Sequence, residues 1–193
     1  MGPLALKLDE RFTYGDYLTW DDGERWELID GVPYNMSPAP RLRHQAISRE
    51  LLTEFSLYLR GKQCQVFAAP FDVRLPEADE NDDLVETVLQ PDLSVICDRT
   101  KLDEAGCRGA PDLIIEILSP ATAHKDLKVK FDRYERAGVR EYWIVDPAGE
   151  TVQLFTVGCN GKYGRPELFG AGDRVKVGLF PELKIDLAVV FAE

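Results

Sequence analysis

The chain has 193 residues, 45% of them hydrophobic and 30% charged, which suits one self-supporting domain spanning 1–193 and excludes a disordered or fibrous chain. Its 34 Asp and Glu outnumber 23 Lys and Arg, for a net charge of -11. This excludes a general polyanion binder, so any nucleic-acid role must work through a local basic surface, a metal, or both. Cys64, Cys97, Cys107 and Cys159 form no CxxC pair, which argues against a zinc ribbon and a secreted disulfide framework. The apolar start of MGPLALKLDERF is soon broken by Lys7, Asp9 and Glu10, unlike a signal peptide. No run approaches the roughly 20 apolar residues of a membrane helix, and the expectation is a soluble, cytoplasmic protein.

In chain order, Thr13 with Asp16 three residues later predicts a capped short helix, with Tyr17, Leu18 and Trp20 as its apolar members. RWELIDGVPYNMSP reads as two short strands around a turn at Asp30-Gly31, closed by Pro38 and Pro40. Ala46, Ile47, Leu51, Phe55 and Leu59 recur at helical spacing and predict a helix from about Arg43 to Leu59, ended by Gly61. QVFAAPFDVRL reads as a strand with Pro70 at an edge or bulge. EADENDDLVE, with Glu77, Asp79, Glu80, Asp82, Asp83 and Glu86 and no cation, reads as a solvated loop, since its spacing is not that of a calcium loop.

VLQPDLSVI and PDLIIEIL have the composition of buried strands, and DRTKLDEAGCRG between them reads as a loop with one helical turn. SPATAHKDLKVKFDRYERAG predicts the second long helix, ended by Gly138. VREYWIVD and TVQLFTV follow as strands around Pro147-Ala148-Gly149. The tail GDRVKVGLFPELKIDLAVVF reads as a β-extension ending in an apolar strand. Strands come in runs, not in strict alternation with helices, which favours an α/β (α+β) mixed sheet over a doubly wound parallel one.

Chemistry is suggested by acids inside apolar strands, because a buried carboxylate is costly unless a cation compensates it. Glu116 sits in LIIEIL and shares a strand face with Ile114 and Leu118. Asp92 enters the strand of QPDLSVI. Two adjacent strands could present both carboxylates to one divalent cation, whereas Asp112 reads as a cap on its strand start. On the following helix, at about 100° per residue from Asp126, Leu127, Phe131 and Tyr134 fall at about 80–140° and define the inward face. Lys130 falls at about 40°, on the edge of that face, Lys128 at about 200°, and Lys125 lies outside it too. Lys130 is therefore the lysine placed to reach the sheet, one turn after Asp126, with which it can pair. Ser119 reads as a turn cap and His124 as a surface residue.

These residues resemble the PD-(D/E)XK nuclease superfamily: Pro91-Asp92, Glu116 24 residues on, then a lysine. WELIDGVPYNMSPAP, His44 leading into the long helix, QPDLSVI, GAPDLIIEILSPAT, DLKVKFDRYERAGVREYWIVDP and the β-tail resemble, more specifically, the Uma-type family of restriction-endonuclease-like proteins. The resemblance runs from about residue 11 to 190. It implies an αβββαβ core, at about 43–157, with an N-terminal β-hairpin and a C-terminal β-extension. It also implies a phosphodiesterase using Mg2+ or Mn2+, with Asp92 and Glu116 as metal ligands and the backbone carbonyl of Ile117 as a third. The superfamily's usual lysine lies two residues after the Glu, where this chain has Leu118. The family places it on the next helix, in the run Asp126, Lys130, Tyr134, so that Asp92, Glu116 and Lys130 form the catalytic set. Glu27 and His44 are possible auxiliaries, with Asp126 and Tyr134. Glu27 could equally face solvent, and His44 could equally cap its helix.

Residues 38–62 carry Arg41, Arg43, Arg49, Arg60 and Lys62 against two acids, and residues 123–140 carry six cations against three, so both segments could hold a duplex. The resemblance implies a homodimer, which LAVVF could build by strand pairing. The leading expectation is a metal-dependent DNA endonuclease. The alternatives are an inactive nuclease-like binding or dimerisation module and a carboxylate-metal enzyme acting on another substrate.

Overall fold

The computed structural model describes residues 10–36, 41–120 and 123–192. Pro38 and Pro40 lie outside them. Thr13 caps α1 (Tyr14–Tyr17), and its hydroxyl and the Asp16 carboxylate satisfy each other's backbone N–H groups as a capping box. Leu18 is exposed, and Tyr14 is buried in its place. β1 (Trp26–Ile29) and β2 (Val32–Asn35) form the expected hairpin. Asp30 (φ 50°) and Gly31 (φ 74°) both take the left-handed conformation that a tight two-residue turn needs.

α2 (Leu42–Leu59) buries Ile47, Leu51, Phe55 and Leu59, one per turn. The strand expected over QVFAAPFDVRL is two strands, β3 (Gln65–Ala68) and β4 (Val73–Arg74), in different sheets. Pro70 has no N–H to continue the ladder, and the chain turns there. β5 (Val88–Leu89) and β6 (Leu93–Ile96) follow. The expected loop at DRTKLDEAGCRG holds a short 3-10 turn and a small hairpin, β7 (Leu102–Asp103) and β8 (Gly106–Arg108). β9 (Leu113–Ile117) leads to a π-helical turn, Lys125–Lys130, which runs into α3 (Phe131–Ala137). Gly138, at φ 83°, ends α3.

β10 (Glu141–Asp146), β11 (Thr151–Thr156), β12 (Glu167–Gly170), β13 (Arg174–Lys176) and β14 (Lys184–Asp186) complete the strands. The tail does not end as a strand. Leu187–Val190 is a helical turn, α4, capped by the Asp186 side chain, so LAVVF offers no strand for pairing two copies.

The central sheet has the order β12-β11-β10-β9-β6-β3. β3, β6 and β9 pair antiparallel, while β9 and β10 pair parallel with α3 in the crossover between them. The sequence α2-β3-β6-β9-α3-β10 is the expected αβββαβ core in a mixed sheet. A second sheet, β2-β1-β5-β4-β8-β7, gathers the N-terminal hairpin and the inserted strands. Strand alternation divides the core. Leu113, Ile115 and Ile117 pack with α2 and the C-terminal tail, whereas Ile114 packs with Tyr134, Tyr142 and residues of the second sheet. Glu116 therefore points into the layer between the two sheets.

Two other expectations change. The acidic loop is pinned by ion pairs: Glu77 meets the buried Arg133, and Asp82 meets the buried Arg74. Cys64 and Cys97, scattered in the sequence, flank the paired strands β3 and β6 and form a disulfide.

Candidate active site

β6 and β9 pair with Leu93 opposite Ile115 and Ser94 opposite Ile114. One further step in this register sets Asp92 opposite Glu116, the two acids singled out in the sequence. Asp92 Oδ2 accepts a hydrogen bond from the Ile117 N–H at 2.7 Å. His44 Nε2 lies 3.3 Å from the same oxygen. The N-cap of α2 is Arg41, so His44 is no cap: it sits inside the first turn and turns its ring to Asp92. Asp92 and the Ile117 carbonyl outweigh burial and raise the His44 pKa. Asp112 accepts from Cys97 N–H at 2.8 Å, the structural role expected of it.

Lys130 is the hub. Its Nζ lies 2.8 Å from Glu27 Oε1, 2.9 Å from Glu116 Oε1 and 3.5 Å from Asp126 Oδ1. The Tyr134 hydroxyl donates to Glu116 Oε1 at 2.7 Å. The Tyr142 hydroxyl donates to the Asp126 carbonyl at 3.1 Å and ties β10 to the π-turn. Glu116, Lys130, Asp126, Tyr134 and Glu27 thus form one bonded cluster, and Asp92 with His44 lies beside it, opposite Glu116 in strand register. Glu27, open in the sequence between solvent and site, is fully buried.

Lys125, outside the inward face on a helical wheel, joins the site in the structure. Its Nζ lies 2.6 Å from Glu27 Oε2, so two lysines grip one carboxylate. The π-turn explains the difference. An α-helical wheel puts residues 125 and 130 on different faces, but i→i+5 bonding stacks residues five apart. The same distortion turns Leu127, expected inward, out to 44% exposure.

The electrostatics are unbalanced. Glu27, Asp92, Glu116 and Asp126 face Lys125, Lys130 and His44. Burial pushes Glu27 up, but Lys130 and Lys125 outweigh it and hold its pKa below the usual value. Burial pushes Glu116 up to about 8; Lys130 opposes this, while Asp126, Asp92 and Glu27 add to it. Lys130 is held well above its ordinary value, because its acid partners outweigh its burial. Lys130 therefore stays charged, and the cluster carries more buried acid than its cations neutralise.

That surplus suits a hard cation. Carboxylates on facing strand positions and a main-chain carbonyl at Ile117 are oxygen donors of the kind Mg2+ and Mn2+ take. Among the described residues, no three His, Cys, Asp or Glu side chains gather into a metal-holding group. Such a cation would therefore rest on two carboxylates, the carbonyl and water.

The basic segments are partly spent on the protein itself. Arg43 pairs with Glu150, Arg49 with Glu50, Arg133 with Glu77, Arg136 with Asp30 and Arg140 with Asp112.

A family model described as "Uma2: Putative restriction endonuclease" matches residues 14–189. The chain belongs to the Uma2 family. Restriction-endonuclease-like families generally use divalent metals. The chain is also similar to the uncharacterised protein slr1290 of Synechocystis sp., 26% identical over 151 residues, which are 77% of this chain and 75% of that protein. The Uma2 fold seen here also resembles the crystal structure of an Anabaena variabilis protein described as a putative nuclease belonging to DUF820. The TM-score is 0.73 at 22% identity, over 93% of this chain and 97% of that one. This likeness extends to the fold. No helix among the described residues is long and apolar enough to cross a membrane.

Proposed function

We propose that this Uma2 protein is a metal-dependent endonuclease that hydrolyses phosphodiester bonds of DNA. The observation that carries the reading is the buried Glu116, set opposite Asp92 by strand register and bridged by Lys130 to Glu27 and Asp126. Asp92, Glu116 and the Ile117 carbonyl would hold Mg2+ or Mn2+. Such a cation supplies Lewis acidity toward a phosphate oxygen and lowers the pKa of water.

The protein's own groups do the rest. Lys130, permanently charged, is a fixed positive potential beside the phosphate and favours the negative charge that grows in the transition state. Tyr134 holds Glu116 Oε1, the oxygen that Lys130 also holds. Asp126 holds Lys130 from the preceding turn, and His44 orients Asp92. A homodimer belongs to the same proposal: two copies would pool their basic contacts along a duplex, which an acidic chain otherwise lacks.

Plasmid nicking in Mn2+ and in Mg2+ tests this, comparing the wild type with Asp92→Ala, Glu116→Gln and Lys130→Ala. Cation-dependent nicking that all three substitutions abolish is expected. Equal nicking by all four proteins overturns the reading. Leu118 at the usual lysine position favours a second reading, an inactive nuclease-like binding module. Under that reading, cations raise the Tm of the wild type but no preparation nicks.

A further inference from the structure

The two lysines on Glu27 are not equivalent. Lys130 is 4% exposed and faces three carboxylates, which matches the three N–H donors of an ammonium. Lys125 is 15% exposed, and its described carboxylate partner is Glu27 alone. Its ammonium also lies 5.7 Å from the centre of the Tyr34 ring, on the neighbouring strand of the hairpin that carries Glu27. Both ammonium groups are on the same carboxylate because the π-turn makes them neighbours. Glu27 keeps a cation and the Gln90 N–H, 3.1 Å from Oε1, even when Lys125 lets go. Lys130 cannot move without stripping three buried acids of their common partner.

We propose that Lys125 is the phosphate-contacting residue of this site: it leaves Glu27 Oε2 to bind a DNA phosphate, while Lys130 stays in place as the charge that holds the carboxylates together. This inference rests on the nuclease reading and deepens it. It gives the π-turn a purpose, since five-residue stacking delivers a second, releasable cation to a carboxylate that already has a permanent one. A flexible lysine ending in a compact ammonium suits such an exchange between two oxyanions.

The test is binding of a fluorescent duplex oligonucleotide by the full chain in Ca2+, followed by anisotropy over a range of salt. The proteins are the wild type, Lys125→Gln, Lys125→Arg and the exposed control Lys128→Gln. Lys125→Gln is expected to weaken binding about five- to tenfold and to make the salt dependence shallower by about one unit, the signature of one lost phosphate contact. Lys125→Arg should keep most of the affinity, and Lys128→Gln all of it. In the nicking assay, Lys125→Gln should raise KM more than it lowers kcat. The proposal is overturned if Lys125→Gln binds with wild-type affinity and slope. It is also overturned if affinity falls with an unchanged slope and a lowered Tm, as a packing role dictates, or if Lys128→Gln weakens binding equally. A wild type that binds no duplex and nicks no plasmid removes the nuclease reading and this inference together; a wild type that nicks, with Lys125→Gln unaltered, removes this inference alone.

Discussion

Arg74 in the second sheet and Lys130 on the π-turn are both buried cations held by carboxylates, at 1% and 4% side-chain exposure. Arg74 donates to both carboxylate oxygens of Asp103, at 2.6 and 2.7 Å, and also meets Asp82. Those two acids keep 48% and 38% of their side-chain surface in water. Around Lys130, Glu27, Glu116 and Asp126 are all buried. At Arg74 the electrostatics relax the pair: the Asp103 pKa is lowered, because Arg74 and backbone N–H groups outweigh its burial, and Arg74 is raised. At Lys130 the tension stays, and Glu116 is pushed up to about 8. The Arg74 clamp lets its acids reach solvent, whereas the cluster around Lys130 keeps its surplus acid inside the protein.

Lys130→Met breaks this contrast most severely. Three buried acids lose their common cation, and a loss of about 3–5 kcal/mol is expected in chemical denaturation. Arg74→Met should cost less, about 1–3 kcal/mol, because its acids already touch water. Equal losses at the two positions would remove the distinction.

The pH dependence of stability should carry opposite signs in the two regions. The native Glu116 carboxyl holds its proton up to about 8, above its unfolded value, so the native state binds more protons across that interval. The stability tied to its protonated form is full below the unfolded pKa and is lost as pH rises through about 8. In cation-free buffer the Tm should decline over that rise, and Glu116→Gln should flatten the decline. Asp103, with its lowered pKa, contributes stability that is present above the ordinary Asp value and is lost as pH falls through its own. Acid titration of Asp103→Asn against the wild type checks that sign.

The smallest effect belongs to His44→Ala. Asp92 keeps the Ile117 N–H as a partner, so a stability cost of about 0.5–1.5 kcal/mol is expected. A larger drop in nicking than in Tm would mark His44 as orienting Asp92 for chemistry.

Much of the fold is written in local patterns. The Thr13 cap, the Asp30-Gly31 turn, the one-per-turn apolar residues of α2 and the Gly138 stop each depend on a few neighbouring residues, and all form as the sequence predicts. Of the second sheet only the β1-β2 hairpin was legible: β4, β5, β7 and β8 are two or three residues long, too short for alternation to show. The end of the tail misled for a related reason, since an apolar LAVV run suits a strand or a buried helical turn equally well.

The sequence by itself determined that Glu116 faces the same side of its strand as Ile114, that Asp92 enters an apolar strand, and that Lys130 follows Asp126 by one helical step. Period-two and near-four-residue geometry suffices for such statements. Only the tertiary structure decided that Glu27, 89 residues before Glu116, enters the same cluster, that His44 turns to Asp92, and that Lys125 joins Lys130. Those meetings depend on how two sheets stack and on a switch from i→i+4 to i→i+5 bonding. Buried acids compensated from distant parts of the chain are set by packing, and no local period encodes packing.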